Sequence, residues 1–245
     1  MYLLPDTSRR VREDEVMDGD DLESHLHGAA LRGLERINRV SGTERIIWRP
    51  IWNLARDSCA SSPGGSLSLL DVATGAGDVP IGLSRRFRRH GLSCHVHACD
   101  RSPVAVDHAR RRAEQRAANV HVFRFDVVRD KLLREYDIVT CCLFLHHLDN
   151  EQALVFMRNM AAATRRMLII NDLERGPMGW LAARVGTRVL TRSKVVHTDG
   201  PRSVRAAFTG IEAQQLAEQA GLRGCRLARH WPHRFVLTWI RPWHR

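Results

Sequence analysis

The most constraining stretch of the chain is Leu69-Leu-Asp-Val-Ala-Thr-Gly-Ala-Gly-Asp78. An apolar run holding one acidic residue breaks at two glycines and gives way to a helical pattern. Gly75 and Gly77 allow a tight turn and let backbone approach a ligand closely. Asp78 stands where it can cap the next helix, with Pro80 tolerated in the first turn. A strand that runs through a glycine loop into a helix commits the chain to crossover units, because parallel strands need a helix-length connection between them.

Beyond residue 65 short apolar runs alternate with longer amphipathic ones. Strands are expected at Leu67–Ala73, Cys94–Cys99, Val120–Phe125, Tyr136–Leu143 and Met167–Asn171, with helices near 79–90, 103–117, 151–164 and 211–220. This alternation predicts an α/β fold, a mostly parallel sheet with helices on both faces. Arg226–Arg229 and Phe235–Ile240 leave no room for a helix between them and read as a terminal antiparallel hairpin. Residues 1–64 read as an N-terminal helical lead or cap. Its first 24 residues are highly charged and expected to dock loosely, and apolar positions recur at helical spacing from Leu26 to Trp52. Ala60–Ser66 has linker composition. Residues 65–245 form the main domain, with a lid-like insertion at about 174–205.

Two further acids follow the glycine loop at strand ends. Asp100 lies 23 residues beyond Gly77, where a carboxylate can hold both hydroxyls of a ribose. Asp126 follows Phe123 and Phe125, where an acid can accept from an exocyclic amine. Pro80 occupies the place of the third glycine of a dinucleotide fingerprint, which argues against NAD. Taken in order, Asp71-x-Ala-x-Gly-x-Gly77, Asp100 and Phe125-Asp126 resemble the class I S-adenosylmethionine-dependent methyltransferases. Asp-Val-Ala-x-Gly-x-Gly-Asp is especially similar to ubiquinone/menaquinone-biosynthesis methyltransferases and their small-molecule relatives, with Ala73 in place of the usual first glycine. The likeness extends over about residues 65–241. It implies a Rossmann-like seven-stranded sheet with the last strand inserted antiparallel, and S-adenosyl-L-methionine as cofactor. It places that cofactor against Asp71, Ala73, Gly75 and Gly77, then Asp100, then Asp126 with Val127, and finally Leu143.

The fourth strand ends in Thr140-Cys-Cys-Leu-Phe-Leu-His-His-Leu-Asp149, and the quinone enzymes' Arg-Asn pattern is absent there. Ligands of open α/β sheets bind outside the carboxyl ends of the strands, which puts both histidines near the expected methyl donor. Methyl transfer from a sulfonium is an in-line displacement that needs a held nucleophile and, for a hydroxyl, a base. His146 is the candidate base; the alternative is that both histidines only shape the loop. His25/His27 and His95/His97 have H-x-H spacing without a second ligand pair, so no metal site is expected.

The net charge is +11, but 22 basic residues face 21 acidic ones up to position 150, whereas 16 face 6 beyond it. An anionic partner is expected on the C-terminal side: a membrane surface or an acidic carrier. Arg184, Arg188 and Arg192 stand four apart beside Trp180, Leu181, Val185 and Val189, as in a helix lying on an anionic membrane. The segment from His197 to Arg205 reads as a loop, and Thr209 as the cap of the helix after it. Cysteines without a C-x-x-C pair and the lack of an apolar leader point to the cytoplasm, with peripheral membrane contact allowed. The resulting expectation is a methyltransferase of secondary metabolism acting through oxygen or carbon on a small apolar acceptor, phenolic, quinone-like or lipid-linked. An RNA or DNA methyltransferase is the alternative that the charge motivates, although nucleic acid is not the expected partner. A non-catalytic cofactor-binding scaffold is the third reading.

Overall fold

The computed structural model describes residues 5–19, 22–61, 65–132 and 134–242. Helices α1 (Ser24–Val40) and α2 (Thr43–Ser61) precede β1 (Leu67–Val72). The chain then alternates through α3 (Asp78–Arg89), β2 (Cys94–Asp100), α4 (Pro103–Gln115), β3 (Val120–Arg124), β4 (Tyr136–Cys142), α5 (Asn150–Ala162) and β5 (Thr164–Leu173). Three helices follow, α6 (Pro177–Leu190), α7 (Lys194–Ala206) and α8 (Gly210–Gln219), before β6 (Arg226–His230) and β7 (Arg234–Ile240). The seven strands form one sheet in the order β3-β2-β1-β4-β5-β7-β6. β1 to β5 run parallel, and β7 inserts antiparallel between β5 and β6.

The near-continuous apolar strands are explained by the two layers they serve. On one face Leu70, Val72, Val139, Cys141 and Ile170 pack with Phe156, Met157 and Met160 of α5 and Leu216 of α8. Their immediate neighbours Leu69, Ile138 and Ile169 pack on the other face with Leu83 and Phe87 of α3 and Ile47, Trp48 and Ile51 of α2. Successive strand residues point to opposite faces, so a sheet covered on both sides needs apolar residues at consecutive positions. α2 thus forms part of the covering layer. No helix among the described residues is long and apolar enough to cross a membrane.

Four expectations are corrected. Residues 5–19 are not loosely docked. Val11 N–H donates to the Arg205 carbonyl, Glu13 pairs with Arg202 and Arg205, and Arg10 donates to the carbonyls of His146 and Leu148. The charged run finds its partners far downstream, 136 and 138 positions on for Arg10 and 192 for Glu13 with Arg205, where composition cannot show them. The stretch from His197 to Arg205 is helical, within α7. Ser193 caps that helix by accepting from Val196 N–H, and Gly200-Pro201 is accommodated inside it. Gly77, not Asp78, is the N-cap of α3, and Asp78 is half-buried at its first position. The linker starts later than expected, since Ala60 and Ser61 close α2; residues 62–64 lie outside the described residues. Thr209 does cap α8, in a reciprocal capping box with Glu212.

Candidate active site

β1 is flanked by β2 on one side and β4 on the other, so the sheet grows in both directions from it. The crevice outside the carboxyl ends at such a point is where open α/β sheets bind ligands. The β1–α3 loop sits there. Gly75 has φ +54°, and nothing lies within 4 Å of where a Cβ would stand, so its backbone is cleared for close approach. Gly77, at φ +73°, is required for a different reason: a Cβ there would lie 2.8 Å from Ala109 Cβ of α4. Ala73 and Leu143, at φ 52° and 57°, hold the same left-handed conformation without being glycine. Such backbone costs a residue with a side chain ~1–2 kcal/mol, and it gathers at ligand loops.

Three acids order this end of the sheet. Asp100, closing β2, accepts from Gly75 N–H at 2.8 Å and from Ser102 N–H at 2.9 Å. A carboxylate offers about four acceptor sites, enough for these and for a ribose diol. Asp126 accepts from Val128 N–H at 3.0 Å and fixes the turn after β3, where Val127 is buried. Asp71 is buried and accepts from Thr74 Oγ1 at 2.7 Å and Thr140 Oγ1 at 2.6 Å, joining β1, the glycine loop and β4. Burial pushes its carboxyl up to about 7, against the lowering effect of the two hydroxyls.

His146 lies in a short 3-10 turn, Leu145–His147, immediately beyond β4. Its ring is only 4% exposed. Nδ1 stands 2.7 Å from Asp172 Oδ1 and its backbone N–H donates to Asp172 Oδ2 at 3.1 Å, so one carboxylate fixes both ring and turn. Asp172 sits near the end of β5 and is also buried; burial pushes its carboxyl up, but the His146 imidazole outweighs this and holds it below the usual range. An acceptor so placed selects the tautomer with hydrogen on Nδ1 and leaves the Nε2 lone pair on the ring edge away from Asp172, towards Glu15. That is the arrangement of an oriented general base. Asp172 was missed from the sequence, although an acid at a strand end is the signal that found Asp100 and Asp126.

Glu15 was missed as well. Its Oε1 lies 3.7 Å from His146 Nε2, and Ser203 Oγ donates to it at 2.5 Å. The segment carrying it is held by Asp199, whose carboxylate accepts from the N–H groups of Val16 and Met17, and by Arg12, which donates to the His147 carbonyl. Glu15, His146 and His147 together place three possible ligand atoms within 4.8 Å of one another.

Residues 69–166 match the methyltransferase domain family, and the sheet order, the glycine loop and the acids at the ends of β2 and β3 agree with a class I S-adenosylmethionine-dependent methyltransferase domain. Among curated proteins, the chain is 28% identical to a tRNA N(3)-cytidine methyltransferase of Mus musculus over 171 residues, 67% of this chain and 58% of the mouse protein. It is 27% identical to a ubiquinone biosynthesis O-methyltransferase of Coxiella burnetii over 63% of each chain. The chain spans less than two thirds of the length of these relatives. Among solved structures, the plantazolicin methyltransferase BamL superposes with a TM-score of 0.59 at 16% identity, over 84% of this chain and 72% of BamL. An O-methyltransferase family 2 protein from Planctomyces limnophilus gives 0.57 at 16% identity, over 91% of this chain and 63% of that one. The residues present fit the cofactor of the class. The cleared backbone at Gly75 admits the close approach such a ligand makes, and the anchored carboxylate of Asp100 suits a ribose.

Proposed function

We propose that this protein transfers a methyl group from S-adenosyl-L-methionine to a hydroxyl of a small apolar acceptor, phenolic, quinone-like or lipid-linked. The observation that carries the reading is the buried Asp172–His146 pair, one residue-turn beyond β4, with Nε2 turned away from Asp172. The cofactor supplies an electrophilic methyl on a sulfonium. Asp71, Ala73, Gly75 and Gly77 would shape the loop that receives it, Asp100 would hold its ribose, and Asp126, Val127 and Leu143 would border its base. His146 Nε2 takes the acceptor's proton as the oxygen attacks, and Asp172 holds the ring in the tautomer that can do so. The N-terminal lead and the insertion at about 174–205 would form the lid of the site, a division supported by the docking of residues 5–19 on α7.

The test is transfer of labelled methyl to a panel of alkylphenols, hydroquinones and unmodified tRNA. The expected result is methylation of a phenolic acceptor, reduced by ~10²–10⁴-fold in His146→Ala with cofactor affinity unchanged. Equal turnover in the variant would remove His146 from the chemistry. The tRNA arm answers a second reading, RNA methylation. The tRNA methyltransferase among the relatives and the basic C-terminal side favour it, and the expectation against nucleic acid draws no support from those relatives.

A peripheral contact with anionic membrane completes the proposal. Met178, Leu181, Val185 and Val189 leave an apolar stripe exposed along α6, next to exposed Arg188, Arg192 and Lys194. Such a surface suits a cytoplasmic enzyme whose acceptor is lipid-linked.

A further inference from the structure

A base buried as deeply as His146 must lose its proton after each turnover, and the structure restricts the way out. The Nδ1 side is closed by Asp172, whose side chain is 1% exposed. Nε2, the atom that receives the proton, faces Glu15 Oε1 at 3.7 Å, and the Glu15 side chain is 12% exposed. Glu15 is thus the group that stands between the buried imidazole and water. The backbone around it is fixed, since the flanking Arg202 donates to the Asp14 carbonyl and Asp199 grips the next two backbone N–H groups, while Ser203 Oγ donates to Oε1.

We propose that Glu15 carries the proton from His146 Nε2 to solvent, which makes the segment N-terminal to α1 part of the reaction machinery. The proposal rests on the reading of His146 as the base of a hydroxyl methyltransferase. The acceptor O–H bond breaks and Nε2–H forms. The acceptor oxygen's electron pair forms the O–CH3 bond as the S–CH3 bond breaks, leaving a neutral thioether. The imidazolium then gives its Nε2 proton to the Glu15 carboxylate, which loses it to water, so each turnover releases one proton. The gap of 3.7 Å closes to hydrogen-bond reach, about 3 Å, by a small rotation of the Glu15 side chain. Other charged and titratable groups facing this pair are Asp172 from β5, His147 of the same turn, Arg10 through the His146 carbonyl, and Asp199 and Arg202 from α7.

The experiment compares the full-length wild type with Glu15→Gln and Glu15→Asp. Exchange of the His146 imidazole proton is read by nitrogen-15 NMR, with His146→Gln for assignment, and turnover is read on an alkylphenol probe. Glu15→Gln is expected to slow imidazole proton exchange at least tenfold and to lower kcat by a similar factor, with KM and S-adenosylmethionine affinity held. Raising the imidazole buffer concentration is expected to restore kcat, and Glu15→Asp to retain part of it. Unchanged exchange in Glu15→Gln, or a kcat loss that no buffer rescues, would overturn the proposal. So would a stoichiometric divalent cation that survives dialysis of the wild type and is lost in Glu15→Gln, since the cluster would then be a metal site. The NMR readout needs no acceptor, so it stands even if no phenol is methylated, whereas that failure counts against the hydroxyl-methyltransferase reading.

Discussion

The proposed chemistry rests on two buried side chains, His146 and Asp172. Asp172 accepts from the ring of His146 through one oxygen and from its backbone through the other, so an amide in place of the carboxylate can keep only one of the two bonds. Asp172→Asn presents a donor where Nδ1–H now donates, which favours the opposite tautomer and turns the Nε2 lone pair into an N–H. We predict a fall in kcat of ~10²-fold or more with unchanged S-adenosylmethionine affinity, measured by steady-state kinetics beside calorimetry; equal kcat would show that the orientation of His146 is immaterial. At this scale the sequence was informative where local pattern carries the chemistry. Gly75, Gly77, Asp100, Asp126 and His146 all fall at strand ends that periodicity could locate. Asp172 followed the same rule but was hidden among neighbouring polar residues. Glu15 had no local signal, since its proximity to His146 exists only after residues 131 positions apart are brought together.

Among the elements, α6 and α7 show how the same composition gives different outcomes. Pro201 and Gly200 read as breakers, yet α7 forms because Ser193 caps it and Val195, Val196, Val204 and Ala206 are buried. Tertiary burial outweighs the local cost of proline. In α6 the helical stripe was legible, but its apolar residues remain exposed: Val185 is 53% and Val189 75% accessible. Arg192 lies beyond the helix end at Leu190, and Arg184 leans over the Trp180 ring at 5.3 Å, so the basic rim is carried by Arg188 with the α6–α7 connection. If this face meets lipid, the protein should sediment with phosphatidylglycerol vesicles at low salt and less with phosphatidylcholine. Val185→Asp/Val189→Asp should abolish that binding without loss of stability, because neither side chain is packed. Equal sedimentation of the variant would assign binding to another surface. Several C-terminal arginines that inflated the sequence charge are either buried or paired with an acid. Arg175 is paired with Glu212 at 2.7 Å, Arg229 with Glu174 at 2.8 Å, and Arg234 is buried against Thr43 and Asn38.

For the molecule as a whole, buried acids give stability a recognisable pH dependence. Burial pushes Asp71 up to about 7 and Asp78 up to about 6, so the folded state holds protons that the unfolded chain has released. Stability associated with these groups is present below about pH 4, the ordinary aspartate range, and is lost as pH rises towards 7. Asp172 and Glu212, held low, act oppositely and lose their contribution as pH falls through the acid range. Thermal unfolding should therefore show the wild type losing stability between pH 5 and 7.5, by an amount on the order of a few kcal/mol. Asp71→Asn should flatten that loss, since its amide can still meet the hydroxyls of Thr74 and Thr140. An identical slope in the variant would show that Asp71 ionises freely in the folded state. The parallel sheet and its covering on both faces were legible from the alternating pattern, because a parallel sheet buried on two faces writes itself into consecutive apolar residues, whereas the seven strands with the last inserted antiparallel came from the family resemblance. The docking of residues 5–19 was not, because it depends on ion pairs between the chain's two ends.

The central claim is that the glycine loop and the acid closing β2 bind S-adenosyl-L-methionine. Calorimetric titration tests it most directly, using the full chain and Asp100→Ala. One-to-one binding by the wild type, weakened at least tenfold in Asp100→Ala while the variant's unfolding transition remains cooperative, is the predicted result. A folded wild type that takes up no S-adenosylmethionine, or an Asp100→Ala variant that binds it equally well, would contradict the account.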